Sequence, residues 1–303
     1  MISHIRHVGL GVPDLAKARE FYEKRWQLEF VHSDDDRIYL GAGCPESHVL
    51  RLRSSDEPRV DLLSLAVEAR GEVDAIAERA GRYPGAKLVT EPAIRRDLGS
   101  GYGVRFLDCD GRTVEVSAGV TMRAFRPVEE SECRPKGISH VVLNTADIPR
   151  SRKFYESVLG FRVSDWIEDY FCFLRTGKVH HILAFNRSPH SSLNHVAFEV
   201  RGIDEFMRAT GTMMRNGYRP LWGPGRHGVG NNTFSYFQDP SSGFVMEYTT
   251  ALQIIDDDNW TPHVYPATEQ NNDLWGTSNP LDDVVIATMR GQADPGLWSP
   301  PPV

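Results

Sequence analysis

Four cysteines in 303 residues, Cys44, Cys109, Cys133 and Cys172, are too few and too scattered for a disulfide scaffold. With no Cys-x-x-Cys pair they offer no thiolate zinc site either. The chain also lacks any run near the ~20 apolar residues that a membrane span needs. Its first residues, MISHIRHVGLGV, have neither the basic start nor the continuous apolar stretch of a secretory leader. A soluble, cytoplasmic protein with reduced thiols is expected. Basic clusters are missing too: 34 Lys and Arg stand against 41 Asp and Glu, a net charge of −7. Nucleic acid and anionic membranes are therefore poor partners, and small-molecule chemistry is the better expectation. With 40% hydrophobic and 10% aromatic residues, there is apolar material for more than one core.

The chain does contain an internal repeat. Ile5-Arg6-His7-Val8-Gly9-Leu10 followed by Asp14 matches Ile138-Ser139-His140-Val141-Val142-Leu143 followed by Asp147, at a constant offset of 133 (140 − 7 and 147 − 14). Both segments read as a strand, a polar turn and an amphipathic helix that ends in Phe-Tyr-Glu, at 21–23 and at 154–156. Ser47-His48-Val49-Leu50 then matches His180-His181-Ile182-Leu183, and Ser64-Leu65-Ala66-Val67-Glu68 aligns with His195-Val196-Ala197-Phe198-Glu199. Near the end of each copy, Asp108, Gly111 and Glu115 match Asp239, Gly243 and Glu247, a turn between two strands. Second helices are expected around Glu72 to Arg82 and Ile203 to Asn216. The reading is an α+β protein with a βαβββ order repeated: module one over 1–125, a charged linker over 126–136, module two over 137–250 and a polar, proline-rich tail over 251–303. The end of that tail is expected to be loose, and the chain after about Trp260 to close over the substrate entrance.

The histidines carry the chemistry. A mononuclear iron(II) that must also take substrate and dioxygen needs few protein ligands on one face, typically two histidines and a carboxylate. Module two offers His140 in its first strand, His195 in a middle strand and Glu247 in its last. Module one offers His7 and Glu115 but Ser64 where the alignment puts His195, so one metal site per chain is expected, in module two. His227 and Tyr236 follow, nine residues apart (236 − 227); a histidine and a tyrosine placed beside a metal can bond and deprotonate a phenol. Of the neighbours His180 and His181, strand alternation lets only one face the site.

At these residues the sequence resembles the type I extradiol dioxygenases of the vicinal oxygen chelate superfamily, over roughly residues 4 to 250. The resemblance rests on His227, Tyr236, Asp239-Pro240, Gly243 and Glu247, with Ser235 and one extra turn residue before Gly243 as departures. It implies two incomplete barrels, a structural module one and a catalytic module two. His140, His195 and Glu247 would ligate Fe(II), or Mn(II), and His181 would be the acid/base group. His227 and Tyr236 would bond the substrate, a catechol cleaved beside its hydroxyls with O2, in a homo-oligomer. Phe171, Phe173, Phe185 and Phe198 are candidates for an apolar wall, about half of which must face the core. The competing readings are a glyoxalase-like metal enzyme and a non-catalytic binding protein of the bleomycin-resistance type.

Overall fold

The computed structural model describes residues 1–99 and 101–301; the expected looseness of the C-terminal end falls on residues 302 and 303, outside that range. In module one, β1 (His4–Val12) passes through α1 (Leu15–Arg19) to β2 (Glu29–Ser33), β3 (Arg37–Gly41) and β4 (Leu50–Ser54). Then β5 (Arg59–Ala66) passes through α2 (Arg70–Arg82) to β6 (Lys87–Leu88), β7 (Ala93–Ile94), β8 (Tyr102–Leu107) and β9 (Thr113–Ala118). Module two repeats this with β10 (Gly137–Thr145), α3 (Ile148–Phe154), β11 (Arg162–Ile167), β12 (Phe171–Arg175) and β13 (Leu183–Arg187). Its second half is β14 (Ser192–Glu199), α4 (Ile203–Arg215), β15 (Trp222–Arg226), β16 (Thr233–Gln238) and β17 (Val245–Thr250). Each module thus holds the βαβββ unit twice, with the edge strand of module one's second unit split into the two-residue β6 and β7, where the sequence suggested the unit once. Alternating apolar strands are too generic for the halves of one module to be matched by eye.

Each module is one mixed sheet. In module two the order is β15-β16-β17-β14-β10-β13-β12-β11, with β10 and β14 antiparallel at the centre and parallel pairs β10–β13 and β14–β17 beside them. Module one follows the same plan around β1 and β5. The repeated aspartates are helix N-caps: Asp14 accepts from the Lys17 amide and Asp147 from the Arg150 amide.

The repeated Phe-Tyr-Glu segments join the modules. Each first helix runs on as a π-helical turn, 20–25 and 155–159, and packs on the other module's sheet. Tyr22 donates to Asp239 at 3.2 Å, and Tyr155 donates to Asp108 at 3.1 Å. Trp26 stacks on Tyr248 at 3.8 Å, and Phe154 meets Tyr83 and Phe106. One hydrophobic core therefore runs through both modules.

The tail packs over module two. β18 (His263–Tyr265) adds to β11, and α5 (Glu269–Asn272) and α6 (Asp283–Arg290) follow. Val285 and Met289 are buried on Trp222, Phe234, Tyr236 and Val245, worth roughly 1.5–3 kcal/mol each if fully removed from water. The chain then returns to module one, where Asp294 accepts from the Val60 amide and Trp298 donates its amide to the Gly111 carbonyl. Gly111 has φ +89°, and a Cβ there would meet the Trp298 ring at 2.6 Å. Among the described residues no helix is long and apolar enough to cross a membrane.

Candidate functional site

Three central strands bring His140, His195 and Glu247 together. Pairing sets His140 opposite Ala197 and Ala197 beside Glu247. His195, two residues before Ala197, points to the same face. The Nε2 atoms of His140 and His195 each lie 3.1 Å from Glu247 Oε2, and 3.4 Å from each other. Among the described residues this is the one cluster of three possible metal donors, and all three are buried.

What holds each side chain is informative. Ser139 Oγ meets His140 Nδ1 at 3.1 Å, Asn194 Oδ1 meets His195 Nδ1 at 2.8 Å, and Asn232 Nδ2 reaches Glu247 Oε1 at 3.4 Å. The outer atom of every group is thereby engaged and the inner atoms, Nε2, Nε2 and Oε2, converge. Although both imidazoles are close, Glu247 Oε2 makes no hydrogen bond among the described residues. The ion-pair distances are short, but the directions are not those of N–H donation. An orphaned buried carboxylate oxygen is costly unless a cation takes the place. Three donors at right angles about an ion ~2.1 Å away would lie about 3.0 Å apart, close to the spacing found. The residues fit a divalent metal. Burial would raise the Glu247 carboxyl, but His140 and His195 outweigh it and hold it down at about 2. Burial keeps His195 neutral by lowering its pKa.

His181, His227 and Tyr236 surround this triad. Tyr236 is directly across from Glu247 on β16 and β17. Its hydroxyl is 3.0 Å from His227 Nε2, and His227 Nδ1 is 3.1 Å from the Asn272 carbonyl. A carbonyl can only accept, so Nδ1 carries the proton and Nε2 accepts from Tyr236. Burial lowers His227 to about 4, and burial with the nearby Glu247 charge pushes Tyr236 well above its usual value. On the other side, His181 Nδ1 lies 2.9 Å from His180 Nδ1, and His180 Nε2 lies 2.7 Å from Asp165 Oδ2. With Asp165 accepting from His180, His180 Nδ1 accepts from His181, which leaves His181 Nε2 a bare acceptor. Burial, then the surrounding histidines, lower its pKa well below 6.5.

These groups border a cavity of about 710 Å³, walled by Val142, Phe171, Phe173, Trp222 and Val229. Of the four candidate phenylalanines, Phe171 and Phe173 line it, and Phe185 and Phe198 lie in the core. His181 lines it and His180 stands behind. The tail contributes Asn271, Asn272, Leu281, Ile286, Met289 and Arg290. Trp260 and His263 instead brace β11, through the Ser164 carbonyl and Asp165. Sequence reasoning missed the orienting residues Ser139, Asn194, Asn232, Asp165 and His180. The only local signal was that Ser139 and Asn194 directly precede their histidines.

One alignment needs correction. His7 pairs with Ser64 and Gly9 with Leu62, while His140 pairs with Ala197 and Val142 with His195. The counterpart of His195 is therefore Leu62, and that of Ser64 is Ala197. A slip of two residues preserves the alternation of faces, so pattern alone could not detect it. Leucine is no ligand, so module one still lacks the third donor.

The family model for the glyoxalase/bleomycin resistance protein/dioxygenase superfamily matches residues 137–248. The Mn(II)-bound glyoxalase from Novosphingobium aromaticivorans is 38% identical over 99% of this chain and 98% of its own, with a TM-score of 0.93. Metapyrocatechase 2 of Cupriavidus necator is 28% identical, over 92% of this chain and 90% of its own. Homoprotocatechuate 2,3-dioxygenase from Brevibacterium fuscum, solved with 3,4-dihydroxyphenylacetate, is 25% identical over 94% of this chain and 91% of its own, with a TM-score of 0.84.

Proposed function

The chain belongs to the glyoxalase/bleomycin resistance protein/dioxygenase superfamily, and within it we propose that the protein is an extradiol dioxygenase that opens a catechol ring beside its two hydroxyls. The observation that carries this reading is that a His-His-Glu triad and a complete set of proton-handling groups occupy one module. His140, His195 and Glu247 would hold iron(II), which when bound supplies Lewis acidity and one-electron chemistry toward dioxygen.

The remaining steps belong to the protein's own side chains. Tyr236 can take a hydrogen bond, and then a proton, from a substrate hydroxyl while passing its own proton to His227 Nε2. The Asn272 carbonyl fixes the ring that receives it. His181, facing the cavity with a free Nε2, can accept a proton and return it, and the His180–Asp165 pair stabilises the charge gained. The aromatic wall orients the ring and keeps water away. Ligand pockets of ~300–1,000 Å³ are usual, so 710 Å³ leaves room for a substituted catechol.

The likeness to a Mn(II)-bound glyoxalase supports a second reading, a metal-dependent isomerase on the same strands. The two separate on oxygen. The protein is reconstituted without air with iron(II) or, in parallel, manganese(II), and given catechols and then O2. A dioxygenase yields yellow ring-opened product with one O2 consumed per ring. Full metal loading with no product and no oxygen uptake on any catechol would reject the dioxygenase reading.

A further inference from the structure

Module one keeps a pocket on the same strand positions, and its residues have changed together. In the shared register His7, His48 and Glu115 take the places of His140, His181 and Glu247. Arg105 pairs with Glu115 as Tyr236 pairs with Glu247, and by the same pairing Arg95 stands where His227 does. Arg51 replaces Ala184, and Gly9 replaces Val142. These last two changes are complementary: a Cβ on Gly9 would lie 3.0 Å from Arg51 Nη2. The guanidinium occupies room that a side chain at position 9 would deny it.

The charges around this pocket do not balance. Arg6 donates to Glu46 at 2.6 Å, and Arg105 bonds Glu115 at 2.8 Å and also Asp97. The nearest carboxylates to Arg95 are at 3.7 and 3.9 Å. Among the described residues Arg51, 3% exposed, has no hydrogen-bond partner at Nε or Nη2, and Arg95 Nε and Nη2, Arg105 Nη1 and His48 Nε2 are likewise buried without one. Asp61 also acts on Arg51, but Arg53 and Arg59 already hold it. Burial keeps His7 and His48 neutral. Four guanidiniums therefore face three carboxylates, with one positive charge in excess. A buried cation without a counter-charge is strongly unfavourable.

We propose that module one binds one small monovalent anion, the size of chloride, between Arg51, Arg95 and His48. The cavity there is about 30 Å³, room for one or two water-sized groups. The anion would tie β4 to the segment after β7, as a cation in module two would tie its central strands. The inference stands on module-one residues alone and is independent of the proposed reaction.

The test uses the whole 303-residue chain, loaded with metal. Tm is followed as potassium chloride replaces potassium gluconate at fixed ionic strength. Wild type should gain a few degrees, saturably. Arg51→Met should lose the response and, in gluconate, match or exceed wild type, because it removes the unpaired charge. A merely structural role for Arg51 predicts a lower Tm in both salts. Crystals grown in bromide should show one anomalous peak between Arg51 and Arg95 in wild type. If Arg51→Met does not fold, Arg95→Gln should weaken the chloride dependence at least tenfold. Equal Tm in chloride and gluconate for wild type, a full chloride response in either variant, or no bromide peak would overturn the proposal.

Discussion

Tyr236→Phe separates holding a metal from using it. The substitution deletes one hydroxyl from a side chain 3% exposed. The ring keeps its stacking on Trp222, 5.5 Å away at 11°, and its edge contact with His195 at 5.0 Å. What is lost is the 3.0 Å bond to His227 Nε2. A neutral hydrogen bond contributes about 1 kcal/mol net, which for a chain of 303 residues corresponds to a fall in Tm of about 1.5 °C. Glu247 keeps both histidines, and no triad atom is touched, so metal content should stay at one equivalent. Catalysis should suffer far more. A positioned acid or base is worth roughly 10²–10⁴-fold, which is about 2.7–5.4 kcal/mol of barrier. The assay is kcat/KM for ring opening, followed at the product absorbance, with metal analysis and a melting curve on the same sample. Wild-type turnover in a fully metallated variant would refute the role given to the Tyr236–His227 pair. Loss of metal would refute the separation of ligands from proton handling.

His195→Ala should drop bound metal from one equivalent per chain to near zero by elemental analysis, because Leu62 leaves module one without a substitute site; one equivalent retained would place the metal elsewhere. Asp273 accepts from the backbone amides of Arg226, Trp275, Thr277 and Ser278, so Asp273→Ala should loosen the tail that holds His227. Losing those bonds should cost about 2–4 kcal/mol in urea unfolding and should lower kcat, whereas unchanged turnover would show that the tail is dispensable. His227 has its pKa depressed to about 4; the unfolded chain therefore binds the proton first, and stability falls as pH drops from about 6.5 toward 4. In metal-free protein, His227→Gln should flatten that part of the Tm–pH curve, and an identical curve would count against a buried neutral His227.

The fold was legible where the chain repeats itself. His7 and His140 are matched by flanking strands, capping aspartates and Phe-Tyr-Glu, so a constant offset could be read without knowing any contact. The triad was legible because a metal needs specific donor types, and module two sets two histidines and a glutamate on three separate strands. The orienting residues were not. Asn194, Asn232 and Asp165 are ordinary polar residues, and their value comes from strand neighbours brought together by pairing. Of the tail, a place over the cavity was expected, but which residues it brings there, such as the Asn272 carbonyl and the buried face of α6, depends on where it lands, since it has no counterpart in the repeat. The repeated tyrosines show the opposite case, a conspicuous motif whose work is to join the modules.

The residues opposite the two buried glutamates bear on why the metal site proposed for module two has no twin in module one. Because β9 and β17 hold the same place in the two sheets, each module has a buried carboxylate, Glu115 or Glu247, that must find positive charge. In module one Arg105 supplies it directly at 2.8 Å, and Ser64 donates to the other oxygen at 3.0 Å. In module two the residue opposite is Tyr236, a neutral donor aimed at His227, and Glu247 Oε2 stays open toward two imidazoles. The same strand position thus decides between a fixed guanidinium and an exchangeable ion. Placing an arginine at position 236 should close the site by itself: Tyr236→Arg would pair with Glu247 across the strands, as Arg105 does with Glu115. The expected protein is folded, metal-free and inactive, with all three ligands still present. A Tyr236→Arg variant that kept one equivalent of metal would show that Glu247 is not the charge on which metal binding depends.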